Sequence, residues 1–95
     1  MYRISETRRF QRSLHKLKRS GTLTANIVDD LRVVLCALRD GERLPVIYRD
    51  HALAGQFSGH RECHIKGDLL LVYQKNDIES VVDLVDIGTH SQIFG

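Results

Sequence analysis

The sequence predicts an α+β fold in which an antiparallel β-sheet packs on an N-terminal helical hairpin, and three observations carry that expectation. Apolar residues recur at helical spacing through residues 7–41. From residue 60 onward they gather in short stretches separated by turn residues. The resulting order, β-α-α-β-β-β, is that of a layered α+β domain. A chain of 95 residues has material for one core, so residues 1–95 are expected to form a single domain.

Residues 1–6 read as a short strand, with Tyr2 and Ile4 on one face and Arg3 and Ser5 on the other. From Thr7 the period changes. Phe10, Leu14 and Leu17 recur at i, i+4 and i+7 with basic residues between them, an amphipathic helix that stops at Ser20 and Gly21. Thr24 is placed to cap a second helix, whose apolar stripe of Ile27, Val28, Leu31, Val34, Leu35 and Leu38 runs to Gly41. So short a linker makes the two helices an antiparallel hairpin.

Residues 42–59, with Pro45, Gly55 and Gly59, follow no period. A loop this long in so small a domain is more often functional than idle. Three strands of a meander come next: residues 60–65, a turn at Lys66-Gly67, residues 68–75, a turn at Asn76-Asp77, and residues 80–87. Residues 90–94 form one helical turn.

Composition narrows the function. No apolar run approaches the ~18 residues of a membrane span, and the first 20 residues lack the apolar centre of a secretory signal. Cys36 and Cys63 do not make a disulfide framework. A cytoplasmic chain with no membrane partner is expected. The net charge of +2 hides an asymmetry. Residues 1–20 hold seven basic side chains against Glu6 alone, giving +6, whereas Asp77, Glu79, Asp83 and Asp86 leave residues 76–95 at −4. Arg8, Arg9 and Arg12 on the first helix are candidate contacts for a polyanion.

Four of the five histidines, His51, His60, His64 and His90, fall in the second half; His15 reads as a surface residue of the first helix. Histidine both takes and gives a proton near neutral pH. Several histidines beside a basic surface suit cleavage of RNA by its own 2′-hydroxyl, which needs a base, an acid and cations near the phosphate. Strand alternation puts His60, Glu62 and His64 on one face and Arg61, Cys63 and Ile65 on the other, with Asp68 close to His64 across the hairpin. The string His60, Cys63, His64 therefore cannot converge on zinc, and no metal or cofactor is expected. Cys63 points into the core and is a poor nucleophile.

The stretch from Tyr48 through Asp50, His51, Leu53 and Gly55, followed by Gly59, His60, Arg61, Glu62, Cys63, His64 and Ile65, resembles the signature of YafQ-type toxins in the RelE/ParE superfamily of bacterial toxin–antitoxin modules. Asp68 to Tyr73 continues it, and Gly88 to Phe94 resembles the family's C-terminal motif. The resemblance covers almost the whole chain, while the first helix matches in character only. It implies a RelE-like fold and a metal-independent, ribosome-dependent endoribonuclease that cuts messenger RNA in the decoding site. The implied catalytic set is His51, His64, Asp68 and His90, with Phe94 helping to hold the RNA. The implied partners are the 70S ribosome with its messenger and 16S ribosomal RNA, and a cognate antitoxin, small and DNA-binding with an acidic C-terminal segment, which alone would bring the protein to operator DNA.

Where the family often places a basic residue near the scissile phosphate, this chain has Asp86. Either Asp86 turns away, or another cation such as Lys66 or Arg61 replaces it. Arg61 serves the fold or binds RNA according to the local shape of its strand. Two other readings compete: a ParE-like poison of DNA gyrase, which lacks this histidine–aspartate set, and a non-catalytic RNA- or protein-binding module. His51 and His90, on separate segments, are expected to transfer protons, and His64 with Asp68 to orient the RNA and stabilise charge on the phosphorane.

Overall fold

The computed structural model describes all 95 residues. Side-chain caps start both long helices. The Thr7 hydroxyl accepts from the Phe10 backbone N–H and opens α1 (Arg8–Arg19), and Thr24 does the same for Ile27 at the start of α2 (Ala25–Asp40). Gly41, at φ 71°, ends α2 in the left-handed conformation. A Cβ at this position would come within 3.2 Å of the Tyr2 ring, so space as well as backbone favours glycine.

Five strands make one sheet: β1 (Arg3–Glu6), β2 (His51–Ala52), β3 (Arg61–Lys66), β4 (Leu69–Asn76) and β5 (Val81–Gly88), in the order β1-β5-β4-β3-β2. The expected antiparallel meander is present in β3, β4 and β5, and β2 adds a further antiparallel edge. β1 lies parallel to β5, from Arg3 opposite Val81 to Glu6 opposite Leu84, so the sheet is mixed. Parallel neighbours need a long crossover, which the helical hairpin and meander together supply. The chain ends in α3 (His90–Phe94), opened by a Thr89–Gln92 capping box.

The two faces of the sheet are covered unequally. On one, Phe10, Leu17, Val34 and Leu38 from the helices meet Cys63, Leu71, Tyr73, Val82 and Leu84 in the main core. On the other, Leu70, Val72 and Ile93 form a small cluster with Leu53, Phe57 and Phe94 around it. Leu69 to Tyr73 are consequently all buried, which is why β4 reads as a continuous apolar run instead of alternating. The second face is otherwise free to carry polar groups.

The segment without a period, residues 42–59, is two 3-10 turns, Val46–Tyr48 and Gly55–Phe57, flanking β2. It is fastened at two points. The Tyr48 hydroxyl donates to Asp30 Oδ1 at 2.9 Å. Asp50 accepts from the Tyr73 hydroxyl and from Arg61, whose Nη2 is 3.0 Å from Oδ2. Tyr73 is 2% exposed, and its phenol is pushed well above the usual range, by burial first and then by the Asp50 hydrogen bond. Asp50→Ala should cost about 2–3 kcal/mol, because it strands a buried hydroxyl and a guanidinium together. Urea denaturation checks this, with Tyr73→Phe expected to cost less. An unchanged midpoint for Asp50→Ala would mean that the loop holds by other contacts.

Candidate active site

His51 is the first residue of β2 and sits opposite Glu62 of β3. Its Nδ1 lies 2.8 Å from the Arg49 carbonyl oxygen, which can only accept, so Nδ1 carries the hydrogen. That leaves Nε2 to face outward, 3.7 Å from Glu62 Oε2. Glu62 is 5% exposed, and the His51 ring is the basic group beside its carboxylate. His64 stands two residues further along β3 on the same face, its ring 6.3 Å from that of His51.

His90 opens α3, where its ring lies 4.9 Å from that of Phe94. Asp68 is exposed in the turn between β3 and β4, next to a register shift between His64 and Lys66. It makes no direct hydrogen bond to His64. The five groups His51, Glu62, His64, Asp68 and His90 surround an open cleft of about 450 Å³ floored by Leu53, Leu70 and Phe94.

The structure therefore brings His51, His64, Asp68, His90 and Phe94 to one place. The other candidates lie elsewhere. Arg61 is on the helix-covered side, bound to Asp50, and its guanidinium is held charged chiefly by that hydrogen bond. Lys66 pairs with Asp30 at 3.1 Å and lines a separate hollow that shares only His64 with the cleft. Arg8 and Arg12 are exposed on α1, and Arg9 pairs with Asp86. His60 precedes β3 and packs edge-on against Phe57 at 5.9 Å, with its Nδ1 buried and unpartnered.

Glu62 is the site member that the sequence reading leaves out. Its signal was there, since alternation sets it between His60 and His64 on one face. What the pattern lacks is the pairing of β2, which brings His51 opposite. Asp86 turns away from the cleft. β5 bulges so that Leu84 pairs with Tyr73 and Asp86 with Val72, and the Asp86 carboxylate accepts from Arg9, Ser13 and the Ile87 backbone N–H under α1. Cys63 is fully buried in the main core, and its thiol is pushed up to about 12, mainly by burial, so it supplies no thiolate. No three His, Cys, Asp or Glu side chains converge closely enough to hold a metal ion.

Three imidazoles and two carboxylates line one open cleft, a set of side chains chemically able to exchange protons with a bound molecule. The fold that carries it is a small mixed sheet with a helical hairpin on one face and this site on the other. Residues 2–95 match the family described as the bacterial toxin of type II toxin–antitoxin systems, YafQ, and the chain belongs to that family. It is 36% identical over 52 residues to the mRNA interferase toxin YafQ of Escherichia coli (strain K12), a stretch covering 55% of this chain and 54% of that protein. The match thus spans about half the length of this curated relative. The metal-bound toxin from Helicobacter pylori is 36% identical, with a TM-score of 0.86 over 99% of this chain and 100% of that chain. The toxin fold of the Escherichia coli DinJ–YafQ complex is also similar, at TM-score 0.83 and 23% identity over 100% of both chains.

The wall beside His64 carries its own pH dependence. The Asp30 carboxyl is held below its ordinary value of 3.8 by its hydrogen bonds from Lys66 and then Tyr48. A carboxyl depressed in the folded state adds stability above its unfolded pKa and loses it as pH falls through the folded one. The stability gap between wild type and Asp30→Asn should be constant near neutrality and close below about pH 4. A gap that persists unchanged to pH 3 in denaturation experiments would contradict this.

Proposed function

We propose that this protein is the toxin of a type II toxin–antitoxin pair and acts as a ribosome-dependent endoribonuclease. The observation that carries the reading is the presence of His51 and His90, from separate segments, on one open cleft. In the reaction the 2′-oxygen forms a bond to phosphorus while the bond from phosphorus to the 5′-oxygen breaks. A base takes the 2′-hydroxyl proton and an acid on the opposite side of the phosphate protonates the departing 5′-oxygen. His51 and His90 fill these two roles. No step passes through a metal ion.

His51 is prepared for proton transfer by its neighbours. The Arg49 carbonyl fixes its Nδ1 hydrogen, Nε2 is the working atom, and Glu62 faces the cation formed when Nε2 is protonated. His64 and Asp68 orient the RNA and balance charge on the phosphorane. Phe94 offers an aromatic surface to a base. A domain of 95 residues is too small to build a long RNA groove of its own, so the ribosome presents the messenger, with Arg8 and Arg12 of α1 against ribosomal RNA phosphates. The mRNA interferase name of the Escherichia coli relative supports the activity. The DinJ–YafQ complex supports a cognate antitoxin, whose acidic segment would cover the basic α1 and bring the toxin to operator DNA.

Single-turnover cleavage of messenger on programmed ribosomes tests the reading. His51→Ala and His90→Ala should each lose about 10²–10⁴-fold in rate while still binding ribosomes. Asp68→Asn should fall nearly as far as Asp68→Ala, because the group acts by charge. Glu62→Gln should lose about tenfold, the order expected for removing a group that orients a catalytic one. Near wild-type rates for both histidine variants would refute this division of roles, and intact messenger with stalled replication in cells would refute the activity.

A further inference from the structure

β1 ends at Glu6, opposite Leu84, so the second half of β5 pairs with β4 alone and its outer edge carries no strand. α1 begins in that notch, where the Thr7 hydroxyl donates to the Leu84 and Val85 carbonyls. Two residues on, Arg9 passes around the open edge of the sheet. Its Nε donates to Asp86 Oδ2 at 2.8 Å, while its Nη2 donates to the Ile93 carbonyl of α3 at 3.1 Å. The guanidinium thereby reaches the cleft-bearing face, 5.9 Å over the Phe57 ring. Phe57 packs edge-to-face on Phe94 at 5.1 Å, and Phe94 in turn adjoins His90. Arg9 is thus linked to the histidine cluster through two aromatic rings.

We propose that Arg9 and Phe57 form an RNA subsite beside the histidine cluster, the guanidinium binding a phosphate next to the scissile one and Phe57 with Phe94 receiving a base. Asp86 is the positioning residue, which acts through Arg9. This rests on the ribonuclease reading above and extends it to the flanking nucleotide. Two of the five N–H donors of Arg9 are used, by Asp86 and Ile93, which leaves three for a phosphate. The arginine side chain is 46% exposed while that of Asp86 is 5% exposed, so the anchor is inside and the free donors are outside. Ser13 Oγ at 2.6 Å and the Ile87 N–H at 2.8 Å also bind the carboxylate, fixing the fork before substrate arrives. Phe57 and Phe94 are only partly buried and keep ring surface for stacking.

The test is single-turnover cleavage of messenger on programmed ribosomes as a function of toxin concentration, with melting temperatures measured alongside. Arg9→Gln should raise the half-saturating concentration about tenfold, with a smaller loss in the saturated rate. Arg9→Lys should rescue little of this, because an ammonium cannot donate to Asp86, Ile93 and a phosphate in one plane. Phe57→Leu, which leaves the Arg9–Asp86 pair intact, should raise the half-saturating concentration in the same way. Asp86→Asn should match Arg9→Gln and add nothing to it in the double variant. Full rescue by Arg9→Lys, additive effects of Arg9→Gln and Asp86→Asn, or rate losses that simply follow melting temperature would overturn the subsite. So would wild-type half-saturation in stably folded Arg9→Gln and Phe57→Leu. If the wild type itself leaves the messenger intact, the ribonuclease reading falls and the subsite falls with it.

Discussion

Asp50 receives the Tyr73 hydroxyl and the Arg61 guanidinium on the helix-covered side of the sheet, and this fixes what happens on the other side. Successive residues of an extended chain point to opposite faces, so holding Asp50 inward turns His51 outward. The same rule applies to Arg61, which is held inward, and its neighbour Glu62, which turns outward to meet His51. An internal carboxylate–arginine pair and an external carboxylate–histidine pair are therefore two consequences of one register between β2 and β3. β2 has only two residues, too few to set that register by its own ladder, and the Asp50 contacts provide what the ladder lacks.

The division of labour between the faces follows from packing. The helical hairpin supplies nearly all the apolar cover on one side, and β4, buried on both sides, is the plate between them. On the other side the small cluster around Leu70, Val72 and Ile93 supports α3 and leaves the ends of β2 and β3 open. Histidines and carboxylates placed there cost little desolvation except at Glu62, whose burial keeps it committed to His51. Asp86 at the far edge is held the same way, with charge and hydrogen-bond donors gathered around a buried carboxylate. Asp50, Glu62 and Asp86 each hold a basic group in place, and Asp68 alone faces solvent as a free carboxylate of the cleft.

Much of this was legible in the sequence because it is local. Thr7, Thr24 and Gly41 mark the helix ends by their own chemistry, and the period of two through residues 60–65 puts Glu62 and His64 together. The C-terminal turn at His90 was legible for the same reason. What could not be read depends on contacts between distant segments. The parallel seat of β1, the pairing of β2 that promotes Glu62 to a site residue, and the bulge that turns Asp86 under α1 leave no periodic trace. Lys66 was offered as a cation to replace the family's basic residue, yet its partner is Asp30, in α2. The resemblance to a family pointed to His51, His64, Asp68 and His90 as one group, whereas the contacts that hold them around one cleft were readable only in three dimensions.

The central claim is that the cleft performs proton transfer on RNA whose own 2′-hydroxyl is the nucleophile. The most direct measurement is the chemistry of the ends left on cleaved messenger, produced on programmed ribosomes and determined by mass spectrometry. Attack by the 2′-oxygen predicts a 2′,3′-cyclic phosphate, or the 3′-phosphate it hydrolyses to, on the upstream fragment and a free 5′-hydroxyl on the downstream one. A 2′-deoxy substitution at the cut position should abolish the reaction. A 5′-phosphate with a 3′-hydroxyl, or continued cleavage of the deoxy substrate, would show that water attacks instead and would contradict the account.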